Sequence, residues 1–252
     1  MLLAYCGQSA DSEAERMSID TTYFRLERVI GSGAECFLCS LEDEIERKYI
    51  DAYLSELVMD AKVREKIVES KGFCNYHSYK MLIIASKPES PDGHGIALTM
   101  QNIIEKLIQD LRKQKKNLEG VFSQTWNEKK CPACIHIANF MEIYNKKIVE
   151  LLSSNHTEFL KLFKNPKGLC IPHFTALIRE VAKEARDPQD IIYALVEVEE
   201  KNLLRLNREL SEYVKMQSYE FSDKHRKTLE DVLLRSIQKI AGRRGINYLP
   251  RV

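Results

Sequence analysis

The chain has 252 residues, 44% hydrophobic and 30% charged, which suffices for a substantial core in one large domain or two fused halves. Its formal net charge of +1 supplies no global attraction to nucleic acid or to an anionic membrane. No apolar run approaches the roughly 20 residues needed to span a bilayer, and the stretch from Met1 to Cys6 is too short for the apolar region of a signal peptide. The expected location is cytoplasmic, where thiols stay reduced and paired cysteines act as ligands or catalytic groups rather than as disulfides.

Residues 1–16 are polar and aperiodic and read as a mobile tail carrying an ordinary free thiol at Cys6. Phe24, Leu26, Val29 and Ile30 make a short amphipathic helix that ends at Gly31-Ser32-Gly33, a linker without a phosphate-loop pattern. From Cys36 onward Leu38, Leu41, Ile45, Tyr49, Tyr53 and Leu57 recur at three- and four-residue steps, which predicts a helix ending near Met59. Glu42, Asp43, Glu44 and Glu46 between them read as its solvated face. A short helix over 61–70 stops at Gly72, His77 opens a third helix, residues 86–93 form a loop, and a long fourth helix covers about 95–117.

The plan then repeats. A helix opens at Cys131 and breaks at Ser153, a short one covers 157–163, His173 opens the next, and a long one runs from Ile191 to about Met216. A final amphipathic helix over 222–241 carries Leu229, Val232, Leu233, Ile237 and Ile240. No strand pattern is present. The fold class is all-α: an internally duplicated four-helix unit with an extra C-terminal helix. The expected domain organisation is a tail (1–16), a first half (17–120), a second half (121–221) and a terminal helix and tail (222–252).

The chemistry lies in two copies of one pattern. Cys36-Phe37-Leu38-Cys39 precedes Gly72-Phe73-Cys74-Asn75-Tyr76-His77, and Cys131-Pro132-Ala133-Cys134 precedes Gly168-Leu169-Cys170-Ile171-Pro172-His173. Each CxxC with its CxxH is the ligand set of a Cys3His metal site. Two ligands three residues apart at a helix start can face one ion, and the helix N-terminus favours the thiolate charge. Cys36, Cys39, Cys74, His77, Cys131, Cys134, Cys170 and His173 are therefore the candidate metal ligands, enough for two closed tetrahedral sites. Pairing within each half is favoured over exchange between halves, because a duplicated unit should have folded alone before duplication. Zinc suits three thiolates and an imidazole best, with an iron–sulfur cluster as the alternative.

His94 reads as a capping or exposed residue, His156 and His225 as surface residues and Trp126 as a core anchor, while His136, two residues after Cys134, points away from the ligand set. Neither CxxC is followed directly by histidine, as haem attachment requires, and no ExxH, HExxH or GxSxG pattern appears. No catalytic set is left over. Basic runs at 112–116 and 224–227 lack interleaved aromatics and read as solvated helix faces rather than a nucleic-acid surface.

The doubled CxxC…G[F/L]CxxH pattern, with the apolar Leu/Ile/Ala stretch after His77 and the His94-Gly95-Ile96-Ala97-Leu98 helix start, resembles a family of uncharacterised proteins from bacteria and archaea, many of them anaerobes. The resemblance spans about residues 24–220 and implies that the eight cysteines and histidines are the positions that matter, without implying an activity. The expected function is a metal-binding helical protein with two structural zinc sites that acts through a protein partner. The alternatives are a two-cluster iron–sulfur redox carrier and a nucleic-acid-associated regulator.

Overall fold

The computed structural model describes residues 21–86, 93–113, 131–164, 167–215 and 231–243, and all of its regular structure there is helical. Residues 21–31 form α1. The first repeat consists of α2 (Phe37–Ser55), α3 (Ala61–Glu69), α4 (Asn75–Ala85) and α5 (His94–Lys113). The second consists of α6 (Pro132–Ser153), α7 (Thr157–Lys164), α8 (Ile171–Glu184) and α9 (Pro188–Lys215), and α10 (Val232–Ala241) follows. The fold is thus all-α and internally duplicated, with the extra C-terminal helix. Among the described residues no helix is long and apolar enough to cross a membrane. The expected mobile tail, Trp126 and His225 lie outside the described residues.

Helix ends follow from local chemistry. The α2 helix ends at Ser55, short of the expected Met59, because a 3-10 turn at Leu57–Met59 intervenes before Asp60. Asp60 then caps α3, its carboxylate accepting the Lys62 N–H at 2.8 Å. The α9 helix starts three residues before the expected Ile191, with Pro188 in the first helical position, where its missing N–H costs nothing.

By their contacts the described residues form two units, 21–41 with 142–243, and 42–141. The boundaries cut through α2 and α6, so the sequence repeat and the contact units divide the chain differently. In the 42–141 unit, Ile50, Tyr53 and Leu54 of α2 pack with Ile67, Phe73 and Met81. The Tyr53 hydroxyl lies 2.7 Å from Thr99 Oγ1, which itself donates to the Gly95 carbonyl. In the other unit, α1 buries Leu26, Val29 and Ile30 of its expected apolar face but leaves Phe24 exposed, and Phe37 meets Phe163 edge-on.

The α10 helix departs from its amphipathic reading. Leu233, Ile237 and Ile240 are exposed, whereas Val232 and Lys239 are fully buried. The Lys239 ammonium decides the rotation. It donates to the carbonyls of Lys167 and Leu169 at 2.9 and 2.8 Å and pairs with Glu199 at 2.9 Å. A lysine is buried only where its charge and donors find partners of this kind.

Candidate metal centres

Each motif begins where a helix begins. Cys74 and Cys170 are the N-cap residues of α4 and α8, in extended backbone conformation, and Cys36 and Cys131 stand immediately before α2 and α6. The second member of each motif (Cys39, His77, Cys134 or His173) therefore falls at the third helical position, one turn on and on the same side. The Cys39 N–H donates to Cys36 Sγ at 3.4 Å, so the sulfur serves as the cap. All four pairs are set on the positive ends of helices.

Two groups of four result, and they differ from the expected pairing. Cys36 and Cys39 meet Cys170 and His173, while Cys74 and His77 meet Cys131 and Cys134. The halves exchange their second pairs. Pairing within a half fails for reasons of length. The 19 residues of α2 carry the chain about 28 Å, and the 9 residues of α3 return about 13 Å. Cys74 therefore arrives beside the middle of α2. Phe73 lies 5.2 Å from Tyr53, and His77 reaches Glu46, ten residues or about 15 Å beyond Cys36.

The donor atoms of each group lie within 4.8 Å of one another. Both imidazoles turn Nδ1 towards the sulfurs. His173 Nδ1 is 3.5, 3.4 and 3.2 Å from Cys36, Cys39 and Cys170. His77 Nδ1 is 3.2, 3.5 and 3.3 Å from Cys74, Cys131 and Cys134. Sulfur–sulfur separations are 3.6 Å for Cys39–Cys170 and 3.7 Å for Cys74–Cys134. Every donor is buried except Cys134 and His173, which are half-buried.

Close sulfurs compete for one another's protons. Hydrogen bonds from Cys134 and Cys74 push the Cys131 thiol far down. Cys134 is pushed far up, chiefly by holding its proton towards Cys131 and Cys74, and Cys39 likewise towards Cys170 and Cys36. A cation replacing the shared protons removes this conflict.

The surroundings of the two groups differ. Glu46, expected on a solvated face, is buried and is the main correction to the sequence reading of α2. Its Oε1 lies 2.9 Å from His77 Nε2, and its Oε2 accepts from Lys80 and, at 3.3 Å, from the Tyr76 hydroxyl. Glu46 falls in line with Cys39, Ile50 and Tyr53 at steps of seven, four and three residues, and this row was the signal that could have found it. Burial works against its charge, yet the bonds from His77 and Lys80 hold its carboxyl below the usual range.

Around the other group, the turn before Cys170 is clamped. The Leu169 N–H donates to Glu199 Oε2 at 2.8 Å, and Lys239 holds the Leu169 carbonyl. Both turns use a glycine in the left-handed region, Gly72 at φ 93° and Gly168 at φ 80°. The residue before Cys36, Glu35, is buried and pairs with Arg205 at 2.6 Å and Arg235 at 3.2 Å. Glu35 and the Glu199–Lys239 pair carry no spacing signal in the sequence.

The remaining described histidines stand outside both groups. His94 is exposed at the start of α5. His136 packs between Tyr49 and Phe140, with ring centroids 4.7 Å from each. His156, before α7, accepts the Phe159 N–H at 3.3 Å as a helix cap.

No curated protein and no solved structure matches this chain. A family model described as a family of unknown function matches residues 17–245, which takes in both centres and every described helix. The chain belongs to that family, DUF6062.

Proposed function

We propose that each centre holds one zinc ion, and that the two ions lock pairs of helix starts together so that the surface of the protein, rather than a metal, does its work on a protein partner. The observation that carries this reading is donor spacing. Four donors around one tetrahedral zinc, with bonds of about 2.3 Å to sulfur and 2.0 Å to nitrogen, stand about 3.8 Å apart between sulfurs and about 3.5 Å from sulfur to nitrogen. The separations of 3.6 and 3.7 Å, and of 3.2–3.5 Å, fit one ion. An iron–sulfur cluster assigns its ligands to different irons and spreads them wider than this.

In each centre three thiolates and one neutral imidazole would close the coordination shell, leaving no position for substrate. The net charge of −1 that results is offset by the helix N-termini on which all four donors stand. A cytoplasmic location belongs to the same proposal, since the thiols must be kept reduced to bind metal. The test is elemental analysis of protein purified without oxygen, together with its visible spectrum. About two zinc per chain and no absorbance near 400 nm are expected. Iron with sulfide in place of zinc would overturn the assignment and point to electron transfer.

A further inference from the structure

We propose that Glu46 is the positioning residue of the Cys74/His77/Cys131/Cys134 centre, fixing the His77 ring so that Nδ1 faces the ion and making that ion harder to remove. The inference rests on the zinc reading and extends it to the residue that orients one of the ligands.

His77 is fully buried, and its two nitrogens face different groups. Nδ1 faces three sulfurs at 3.2–3.5 Å, while Nε2 lies 2.9 Å from a carboxylate oxygen. An imidazole that binds metal through one nitrogen carries its proton on the other, and a carboxylate accepting that N–H fixes both tautomer and ring angle. Glu46 is itself fixed, because Lys80 and the Tyr76 hydroxyl hold its second oxygen. Tyr76, His77 and Lys80 all belong to the first turns of α4, so one helix presents the ring together with the groups that anchor its carboxylate.

The duplicate carries different residues at the equivalent positions. Glu46 lies ten residues beyond Cys36, and the residue ten beyond Cys131 is Met141. Lys80 lies three beyond His77, and the residue three beyond His173 is Ala176. The His173 ring is only half-buried, whereas the His77 ring is closed off from solvent. A buried ion pair can also serve packing alone, so the test must separate an action on the imidazole from an action on the fold.

The experiment is a mutant cycle of Glu46→Gln and His77→Cys in the full chain, read as zinc affinity by competition with a chromophoric chelator. Wild-type protein should hold two zinc ions. In Glu46→Gln, one ion should weaken about 10- to 100-fold and the other should stay unchanged. In the His77→Cys background the donor is a thiolate with no ring to orient, so Glu46→Gln should leave both ions unchanged. Long-range nitrogen–proton spectra should show the Nε2–H of His77 in wild type and its shift in Glu46→Gln.

Equal weakening in both backgrounds, weakening of both ions, or no weakening would overturn the inference while the zinc reading stands. Fewer than two zinc ions on wild type would overturn the zinc reading and this inference with it. If Glu46→Gln fails to fold, Glu46→Asp, which keeps the Lys80 pair and draws the carboxylate back by one methylene, is read by the same outcomes.

Discussion

Gly168→Ala should destabilise the protein clearly more than Gly72→Ala, although the two glycines occupy the same place in the repeat. Both have positive φ, which costs alanine about 1–2 kcal/mol. The space around them differs. A Cβ at Gly168 would stand 2.6 Å from Glu199 Oε2 and 3.0 Å from Lys239 Nζ. Glu199 cannot move without releasing the Leu169 N–H and the buried ammonium. One disrupted hydrogen bond to a buried charged group adds about 1.5–3 kcal/mol, so the total is about 2.5–5 kcal/mol. A Cβ at Gly72 meets only the terminal methyl of Ile103, at 3.0 Å, which a small side-chain rotation relieves. Its cost should stay near 1–2 kcal/mol, the strain alone. Denaturant unfolding of the two metal-loaded variants measures the difference. Equal losses, or a larger loss for Gly72→Ala, would refute the view that Glu199 and Lys239 clamp the turn rigidly.

The same clamp predicts that Lys239→Met costs about 3–5 kcal/mol by stranding the Glu199 carboxylate, and that Lys239→Met with Glu199→Leu recovers part of it; a double variant no better than the single would count against this. Glu209 yields a pH test. Burial opposes its charge, but Arg235 and Arg205 hold its carboxyl below the ordinary 4.5. A depressed carboxyl stabilises the fold above its unfolded pKa and loses that contribution as pH falls through the folded value. Glu209→Gln should therefore be less stable than wild type at pH 7, with the gap closing below about pH 4.5; a gap independent of pH would contradict the pairing. Cys74→Ser should lower metal content from two ions to one and reduce the melting temperature more than any surface change, because metal binding and folding are coupled. An unchanged metal content and melting temperature would remove Cys74 from the ligand set.

The eight donors were legible because ligand chemistry imposes a spacing and the chain states that spacing twice. Their pairing was not. A CxxC or CxxH spacing says which two donors share a helix turn, whereas the meeting of turns depends on where helices end. The mismatch between a 19-residue α2 and a 9-residue α3 carried that information, and it argued against pairing within a half. Glu46 was hidden by its neighbours, since Glu42, Asp43 and Glu44 make the run look solvated while α2 buries residues on nearly every side, among them Phe37, Leu41, Ile45 and Ile50. Lys239 was hidden for another reason. Its partners include backbone carbonyls 70 and 72 residues away, and a carbonyl leaves no mark in the sequence.

Exchange between the halves also revises the argument from duplication. Each half carries four donors that its own helix lengths keep apart, so a single half folded in this way closes neither centre, whereas two copies close both. The unit that was duplicated should therefore have worked as a pair of chains, with fusion turning an intermolecular site into an intramolecular one. Residues 17–120 expressed alone should accordingly bind zinc only as they associate, with one ion per chain in a dimer. Apparent zinc affinity of this fragment should rise with protein concentration, while that of the full chain should not, because the fused halves supply each other at a fixed effective concentration. Light scattering with metal analysis decides the matter. A monomeric fragment holding one zinc tightly would show that the donors of one half can reach each other after all, and that the exchange is a choice made by the fused chain rather than a consequence of its helix lengths.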